Sequence, residues 1–136
     1  MSYGCEICGF KLYVPVAELR VSWLGLYDDA RYPGRCLVVL NEHHEHLQQL
    51  DRDLRHHFLD DIDVAMRAIA DVTEAERVNM AVLGNTEPHL HGHLIPRVPD
   101  GDPVPDRPHW EDPRPRPPLD GDLLAGLVSR LQEALP

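Results

Sequence analysis

Residues 88–97 read PHLHGHLIPR and place three histidines, His89, His91 and His93, at alternate positions. Alternate side chains of a β-strand leave the same face, about 6.6 to 6.8 Å apart, so a strand here carries three imidazoles on one face. The apolar residues between them fall on the opposite face, toward the core. Three titratable rings in a row bring no packing benefit and repel one another when protonated. The stretch therefore predicts a strand with a chemically active face.

Two kinds of chemistry suit this face. Two of the rings could bind a metal, as in cupins and metal-dependent barrel hydrolases. A cupin-like site also has a glutamate a few residues later, whereas His93 is followed by Leu-Ile-Pro-Arg, and a (β/α)8 barrel needs about 200 residues or more while this chain has 136. The second chemistry is nucleophilic: a neutral imidazole attacks phosphorus, and a neighbouring ring stabilises the charge that develops.

The rest of the chain predicts an antiparallel sheet with one long helix. Asp51 can cap a helix in which apolar residues recur every three or four positions from Leu54 to Ile69. His56 and His57 fall in this helix, and we expect them to be solvated. The order of elements predicts the α+β class. The predicted strands are residues 19–27, 36–40, 79–83 and 90–97, the last of which we expect Pro96 to end.

The C-terminal third has a different composition. Nine of the 13 prolines lie between residues 96 and 118, which excludes regular helix or a central strand there and predicts an extended or partly disordered arm. Asp120 can cap a final helix with one apolar stripe. We therefore expect a domain over residues 1–97, a proline-rich arm over 98–118, and a helix over 119–136 that packs on the same domain or on a partner subunit.

Composition excludes several classes of function. The chain has 13 Lys and Arg against 23 Asp and Glu, a net charge of −10, which repels nucleic acid. No apolar run approaches the roughly 20 residues needed to span a bilayer. The N-terminal stretch MSYGCEICGF lacks the features of a secretory signal, so we expect a cytoplasmic, reducing location, where three cysteines are not a disulfide framework.

Cys5 and Cys8 alone could bind a metal, act in redox chemistry or be buried, and Cys36 is expected in the core.

The stretch PHLHGHLIPR resembles the signature of the histidine triad superfamily of nucleotide hydrolases and transferases, His-x-His-x-His followed by apolar residues. The preceding sequence is similar as well: Pro33-Gly34 before CLVVL, and Asn41-Glu42-His43 before a long helix. The resemblance covers about residues 5–97 and looks most like small bacterial members described as diadenosine tetraphosphate hydrolase-like. It implies a histidine-triad-like fold, a small-molecule nucleotide substrate and a homodimer.

The resemblance also implies roles for individual residues. His91, the middle histidine, matches the nucleophile that forms a covalent nucleotidyl intermediate, and His93 matches a phosphate contact. Asn85 stands where the family has an Asn or Gln near the phosphate. Asp28 matches, with spacing that differs by one residue, a position that holds the ribose hydroxyls. Trp110, in the arm, is expected either to stack on the nucleotide base or to anchor the arm.

Two further features concern metal and rate. Zinc-containing members complete a tetrahedral site with the loop histidine and the first triad histidine, which implies structural Zn²⁺ on Cys5, Cys8, His43 and His89, with His44 or His46 as the alternatives to His43.

Longer members carry Gly-Gln-Ser/Thr-Val between the Asn and the triad, whereas only Thr86-Glu87-Pro88 intervenes here. The resemblance as a whole implies cleavage at the α-phosphate of a nucleotide, such as a dinucleoside polyphosphate or a nucleoside phosphoramidate. The alternative is a zinc-stabilised nucleotide-binding module with little activity.

Overall fold

A five-stranded antiparallel sheet holds the histidine-rich strand between two neighbours. The computed structural model describes residues 3–136. It confirms the predicted α+β class and antiparallel sheet. The strands are β1 (Pro15–Glu18), β2 (Ser22–Leu26), β3 (Cys36–Leu40), β4 (Arg77–Ala81) and β5 (His91–Arg97), and the helices are α1 (Arg52–Thr73) and α2 (Gly121–Ala134). The strands lie in the order β1-β2-β3-β5-β4.

The register of β5 decides which side chains face the core. His91 lies opposite Val39 of β3, and His93 lies opposite Leu37 of β3 and Ala81 of β4. Gly92 faces helix α1, because a Cβ built there would lie 3.5 Å from Ile62 Cδ1. The small residue lets α1 pack closely on one face of the sheet, and the histidines are left on the other.

Helix α1 forms where the apolar periodicity predicts it. Asp51 caps it, with its side chain accepting a hydrogen bond from the Leu54 N–H at 2.9 Å. The helix ends at Thr73, because the following residue, Glu74, has a φ of 56° that stops the helical backbone. His56 is exposed and His57 is partly buried. The face toward the sheet buries Phe58, Ile62, Ala65, Ala68 and Ile69.

The segment predicted as one strand over residues 19–27 is a hairpin turn followed by β2. The backbone N–H groups of Arg20 and Val21 donate to the carboxylate of buried Asp61 on α1, at 3.2 and 2.9 Å, and the Ser22 hydroxyl donates to it at 2.7 Å. These bonds fix the turn between β1 and β2. The prediction of a continuous strand was wrong because a tertiary contact overrides the local β propensity.

Two strand boundaries also differ from the sequence-based prediction. Strand β4 lies at Arg77–Ala81, two residues earlier than predicted, and Pro96 lies inside β5 instead of ending it. β5 pairs with β3 only as far as Leu94, whereas it pairs with β4 as far as Arg97. At Pro96 the strand therefore has one neighbour, and a residue without an N–H is tolerated there.

Helix α2 packs on α1 and β1 of its own chain. Asp120 caps it, Leu127 and Leu131 are buried, and Gln132 donates to the Val16 carbonyl at 2.9 Å. The preceding arm is irregular, apart from a 3-10 turn at His109–Glu111. Buried Arg97 holds the arm by donating to the carboxylate of Asp102 at 2.9 Å and to two arm carbonyls.

Over residues 3–136, neither helix is both long enough and apolar enough to cross a bilayer.

Candidate active site and metal centre

His91 is a buried imidazole with one ring nitrogen fixed by the backbone. Its Nδ1 lies 2.6 Å from the carbonyl oxygen of His89. A carbonyl can only accept a hydrogen bond, so Nδ1 carries the proton and Nε2 of the neutral ring keeps a free lone pair. Burial lowers the pKa of His91, which favours this neutral form. The ring is thus prepared to act as a nucleophile through Nε2.

His93 lies beside it, with a ring centroid 4.9 Å from that of His91. Its Nδ1 is 3.2 Å from Nη2 of Arg35, the buried residue directly before β3. Burial, with smaller effects from His91 and Arg35, lowers the pKa of His93 to about 3. Two neutral imidazoles therefore stand side by side on β5.

Both rings line a cavity of about 650 Å³. One part of its wall is apolar and includes Leu12, Val14 and Leu26. Another part carries polar groups, among them Asp28 and Asn85, for which the family resemblance implies contacts with ribose and phosphate. Two cations also line it: Lys11, the chain's only lysine, and Arg116 of the arm. The cavity thus combines an apolar wall with a small number of polar and charged groups, as small-molecule sites do.

Asp28 and Asn85 reach this cavity from different elements. Asp28 follows β2 and also accepts a hydrogen bond from the Leu119 N–H at 2.6 Å, which links the end of the arm to the cavity wall. Asn85 lies in the loop before β5, next to Gly84, whose φ of 77° turns the backbone. The structure thus brings four of the predicted nucleotide-site residues together: Asp28, Asn85, His91 and His93.

The structure does not bring Trp110 to this cavity. Trp110 is 59% exposed and lines a separate groove beside the edge strand β4, together with Met80 and Arg97. Its neighbour His109 is buried, with its ring 6.3 Å from that of Tyr32. The buried residue of this segment is thus His109, whereas the Trp110 side chain is largely exposed.

A second cluster lies next to the first. One ligand atom from each of four residues, Cys5, Cys8, His43 and His89, falls within 4.8 Å of the other three, so the cluster could hold a metal ion. Cys5 Sγ is 3.6 Å from His43 Nδ1, and Cys8 Sγ is 3.4 Å from His89 Nδ1. His44 is outside this group and contacts Glu42 instead, at 3.3 Å.

The donor set suits a tetrahedral metal. His89 Nε2 lies 2.7 Å from the Leu40 carbonyl oxygen, so Nε2 carries the proton and Nδ1 is free to coordinate. Burial raises the pKa of the Cys5 thiol, but hydrogen bonds from the backbone at Cys8 and Ile7 and from the side chains of Cys8 and His43 together lower it to about 6, which favours the thiolate. Burial raises the pKa of the Cys8 thiol. Two sulfur and two imidazole ligands form a closed structural set of the kind that holds zinc.

The residues that hold His93 in place, Arg35 and its partner Asp29, were not predicted from the sequence. Asp29 is fully buried and accepts hydrogen bonds from Arg35 Nη1 at 2.9 Å and from Arg31 Nη2 at 3.0 Å. Arg35 also stacks on Tyr27, with its guanidinium carbon 3.9 Å from the ring centroid. The available signal was a charged residue directly before the apolar run CLVVL. Arg116 was missed as well, because the arm's return to the cavity depends on tertiary contacts.

Comparison with known proteins agrees with this geometry. The family model described as HIT domain matches residues 16–100. The chain is 27% identical to a histidine triad protein from Bradyrhizobium japonicum, with a TM-score of 0.82 and 90% of each chain covered. No curated protein matches the sequence.

Two further solved structures share the fold. A histidine triad protein from Sinorhizobium meliloti is 24% identical, with a TM-score of 0.81 over 90% of this chain and 89% of that one. A zinc-bound histidine triad family protein from Mycobacterium smegmatis is 18% identical, with a TM-score of 0.63 over 88% and 84%. Since the HIT match spans more than half of the residues and includes all three triad histidines, the chain belongs to the histidine triad family of nucleotide-binding proteins.

Proposed function

We propose that this protein hydrolyses or transfers a nucleoside monophosphate unit through a covalent intermediate on His91. The observation that carries the proposal is the hydrogen bond from His91 Nδ1 to the His89 carbonyl, which leaves Nε2 free in a cavity lined by Asp28, Asn85 and His93. The substrate class is a dinucleoside polyphosphate, such as diadenosine tetraphosphate, or a nucleoside phosphoramidate. Both carry an α-phosphate attached to a nucleoside.

The reaction has two displacements at phosphorus. In the first, His91 Nε2 forms a bond to the α-phosphorus, and the bond to the leaving group breaks, the group departing with its electron pair and taking up a proton from solvent. In the second, the oxygen of water or another acceptor attacks the phosphorus and gives its proton to solvent, and the N–P bond returns its electron pair to Nε2. His93 donates a hydrogen bond to a phosphoryl oxygen as charge develops on it. Asp28 binds the ribose hydroxyls, and Asn85 contacts the phosphate.

The metal belongs to the proposal as a structural zinc ion. It would be held by Cys5, Cys8, His43 and His89. When bound, it would link the N-terminal turn to the strand that carries His91 and so stabilise the fold. The closed set of four protein ligands supports a structural role. The zinc-bound relative from Mycobacterium smegmatis supports the identity of the metal.

We also propose a homodimer in the cytoplasm. Leu127 and Leu131 of the C-terminal helix are buried within its own chain, so we place the contact surface elsewhere. The edge strand β4 and the segment after it expose Met80, Val82 and Leu83, which offers an apolar face to a second copy. Thiol ligands for zinc suit a reducing compartment. Neither nucleic acid nor a membrane is a proposed partner, since the net charge of −10 repels phosphate backbones.

A binding module with little activity is the second candidate. It is favoured by the short link of three residues between Asn85 and His89, which supplies fewer donors for the leaving group than the longer family stretch. Such a protein would bind adenosine monophosphate in the same cavity but would retain no label and release no product.

The test is to trap the intermediate. Wild-type protein is mixed with a dinucleoside polyphosphate labelled at the α-phosphorus and denatured in alkali, where a phosphoramidate bond to histidine survives. We expect label on the wild type. His91→Ala should carry none and lose turnover by at least about 10³-fold, while calorimetry shows that it still binds adenosine monophosphate. His91→Gly should recover activity on a nucleoside phosphoroimidazolide.

The matched control is His56→Ala, which removes an exposed histidine of α1 and should change neither label nor turnover. Near-normal turnover of His91→Ala on every substrate that the wild type accepts would overturn the covalent mechanism. Binding without label or product from the wild type would favour the second candidate.

A further inference from the structure

Arg35 connects a buried carboxylate to the second histidine of the site. Arg35 is only 4% exposed. Its Nη1 lies 2.9 Å from the Asp29 carboxylate, and its Nη2 lies 3.2 Å from His93 Nδ1. Its backbone is fixed as well, since its carbonyl accepts from the Tyr27 N–H at 2.7 Å and its N–H donates to the Tyr32 carbonyl at 2.9 Å. Arg35 is therefore held at both ends before any substrate binds.

The chemistry of a guanidinium decides the direction of the bond to His93. Every hydrogen-bonding group of an arginine is a donor, and arginine does not lose its proton in proteins. His93 Nδ1 must therefore be the acceptor, and the proton of the neutral ring lies on Nε2. His91 has the opposite arrangement, because a carbonyl holds the proton on its Nδ1. Two neighbouring imidazoles are thus held in different tautomers by partners of opposite character.

We propose that Arg35 is a positioning residue that holds His93 in its Nε2–H tautomer, so that His93 acts as a hydrogen-bond donor to the substrate phosphate and not as a second nucleophile. The tautomer itself follows from the contacts of Arg35, whereas its use toward phosphate rests on the proposed function. In the other tautomer His93 would present a lone pair to a phosphoryl oxygen, and the two would repel.

Three contacts keep Arg35 in this role. Asp29 is fully buried, and its charge balances the guanidinium. Tyr27 supports the guanidinium plane, at 3.9 Å from the ring centroid, and so orients Nη2 toward β5. Burial keeps His93 neutral by lowering its pKa to about 3, so the ring carries a single proton. The arrangement supplies a neutral donor whose direction is set in advance.

The direct test is spectroscopic and needs no turnover. Long-range proton–nitrogen correlation spectra of protein labelled with ¹⁵N at histidine distinguish a protonated from an unprotonated ring nitrogen, and His93→Ala identifies the signals. We expect protonated Nε2 at His93 and protonated Nδ1 at His91 in the wild type. Arg35→Met should remove the bias at His93 and leave His91 unchanged, whereas Arg35→Lys, which keeps a charged donor, should restore it.

The kinetic test is a double-mutant cycle on the turnover reaction. Arg35→Met should lower kcat by about 10- to 100-fold, because one donor at a developing charge is worth about 10²- to 10³-fold and misdirecting it forfeits part of that. KM should change less. In a His93→Ala background, Arg35→Met should cost less than about twofold, since its partner is gone.

Arg31→Met is the matched control, because Arg31 shares Asp29 with Arg35 but has no contact with His93 among the described hydrogen bonds. It should lower thermal stability without altering the His93 spectrum. An unprotonated Nε2 at His93 in the wild type, an unchanged tautomer in folded Arg35→Met, or equal kcat losses with and without His93 would each overturn the proposal. Absence of turnover would count against the proposed function alone, since the tautomer is measured independently.

Discussion

Three histidines at alternate positions take different roles because their ring nitrogens have different partners. His89 donates from Nε2 to the Leu40 carbonyl, and its Nδ1 faces Cys8 Sγ. His91 uses Nδ1 on the backbone and keeps Nε2 free. The sequence predicts that the three share a face, since that depends only on the period of a strand. Which nitrogen is free depends on the positions of carbonyls and of Arg35, which no local pattern contains.

The metal ligands give a prediction at the scale of a single residue. The purified protein should contain about one zinc per chain. Cys5→Ser should lower metal content and the melting temperature together, the latter by at least about 5 °C, because metal binding is coupled to folding and about 1 kcal/mol shifts Tm by a few degrees in a chain of this size. Metal analysis and calorimetry check both.

Cys36→Ala provides the control for the loss of a thiol. Cys36 is fully buried in the core and donates to the Gly34 carbonyl at 3.3 Å, away from the four-residue metal cluster. The substitution should lower Tm with zinc retained. A stable, metal-free wild type, or a Cys5→Ser variant that keeps its zinc, would contradict the assignment of the site.

At the scale of elements, one carboxylate of α1 orders the first hairpin. Asp61 accepts three hydrogen bonds, from the N–H groups of Arg20 and Val21 and from the Ser22 hydroxyl. Asp61→Asn replaces one acceptor oxygen by an NH₂ that faces donors. We expect a loss of about 2 kcal/mol in the free energy of unfolding, the cost of buried groups left without partners, measured by urea denaturation.

Asp63→Asn is the matched change on the same helix. Its carboxylate is exposed and pairs with Arg67 at 3.1 Å, an (i, i+4) surface pair that contributes at most about 0.5 kcal/mol. If the two variants lost the same stability, the hairpin would not depend on Asp61.

The arm offers a second prediction at this scale, because two of its residues face different grooves. Arg116 lines the cavity of His91 and hydrogen-bonds the Tyr27 hydroxyl, whereas Trp110 lines the groove beside β4. Arg116→Ala should raise KM for an anionic nucleotide by up to about 5-fold, since one exposed charge contact contributes up to about 1 kcal/mol. Trp110→Ala should leave KM unchanged.

Initial-rate kinetics on the two variants separate these outcomes. A raised KM in Trp110→Ala alone would mean that Trp110 reaches the nucleotide from a second copy of the chain. Light scattering of the same samples reports whether a dimer is present.

Across the whole molecule, the sequence predicts the elements whose positions are set by local periodicity. Strand β3 lies at the predicted residues 36–40, and α1 begins directly after Asp51. The hairpin between β1 and β2 was not predicted, because Asp61 lies about 40 residues away from the turn that it holds. The course of the arm was not predicted either, since it follows from Arg97 and Tyr32, whose hydroxyl donates to Asp112 at 2.8 Å. Contacts of this kind are invisible to a pattern read along the chain.

Acid stability tests the whole molecule, because several buried groups resist protonation in the folded state. Burial lowers the pKa of His93 to about 3 and that of His109 to about 4, against about 6.5 in an unfolded chain. Between these values the unfolded state binds more protons, so stability falls as pH decreases. Hydrogen bonds from Arg114 hold the pKa of Asp112 below its usual range, and this stabilisation is lost at still lower pH.

We therefore expect the free energy of unfolding to fall as pH drops from about 6.5 toward 4, by up to about 1.4 kcal/mol per pH unit for each such histidine. Urea denaturation at several pH values measures this slope. Because zinc release at low pH adds to the slope, the informative comparison is with His109→Gln, which keeps the metal ligands and should remove the share of one histidine. His56→Gln, on the exposed face of α1, controls for the substitution itself. If His109→Gln kept the full wild-type slope, the burial of His109 against Tyr32 would not contribute to the acid sensitivity of the fold.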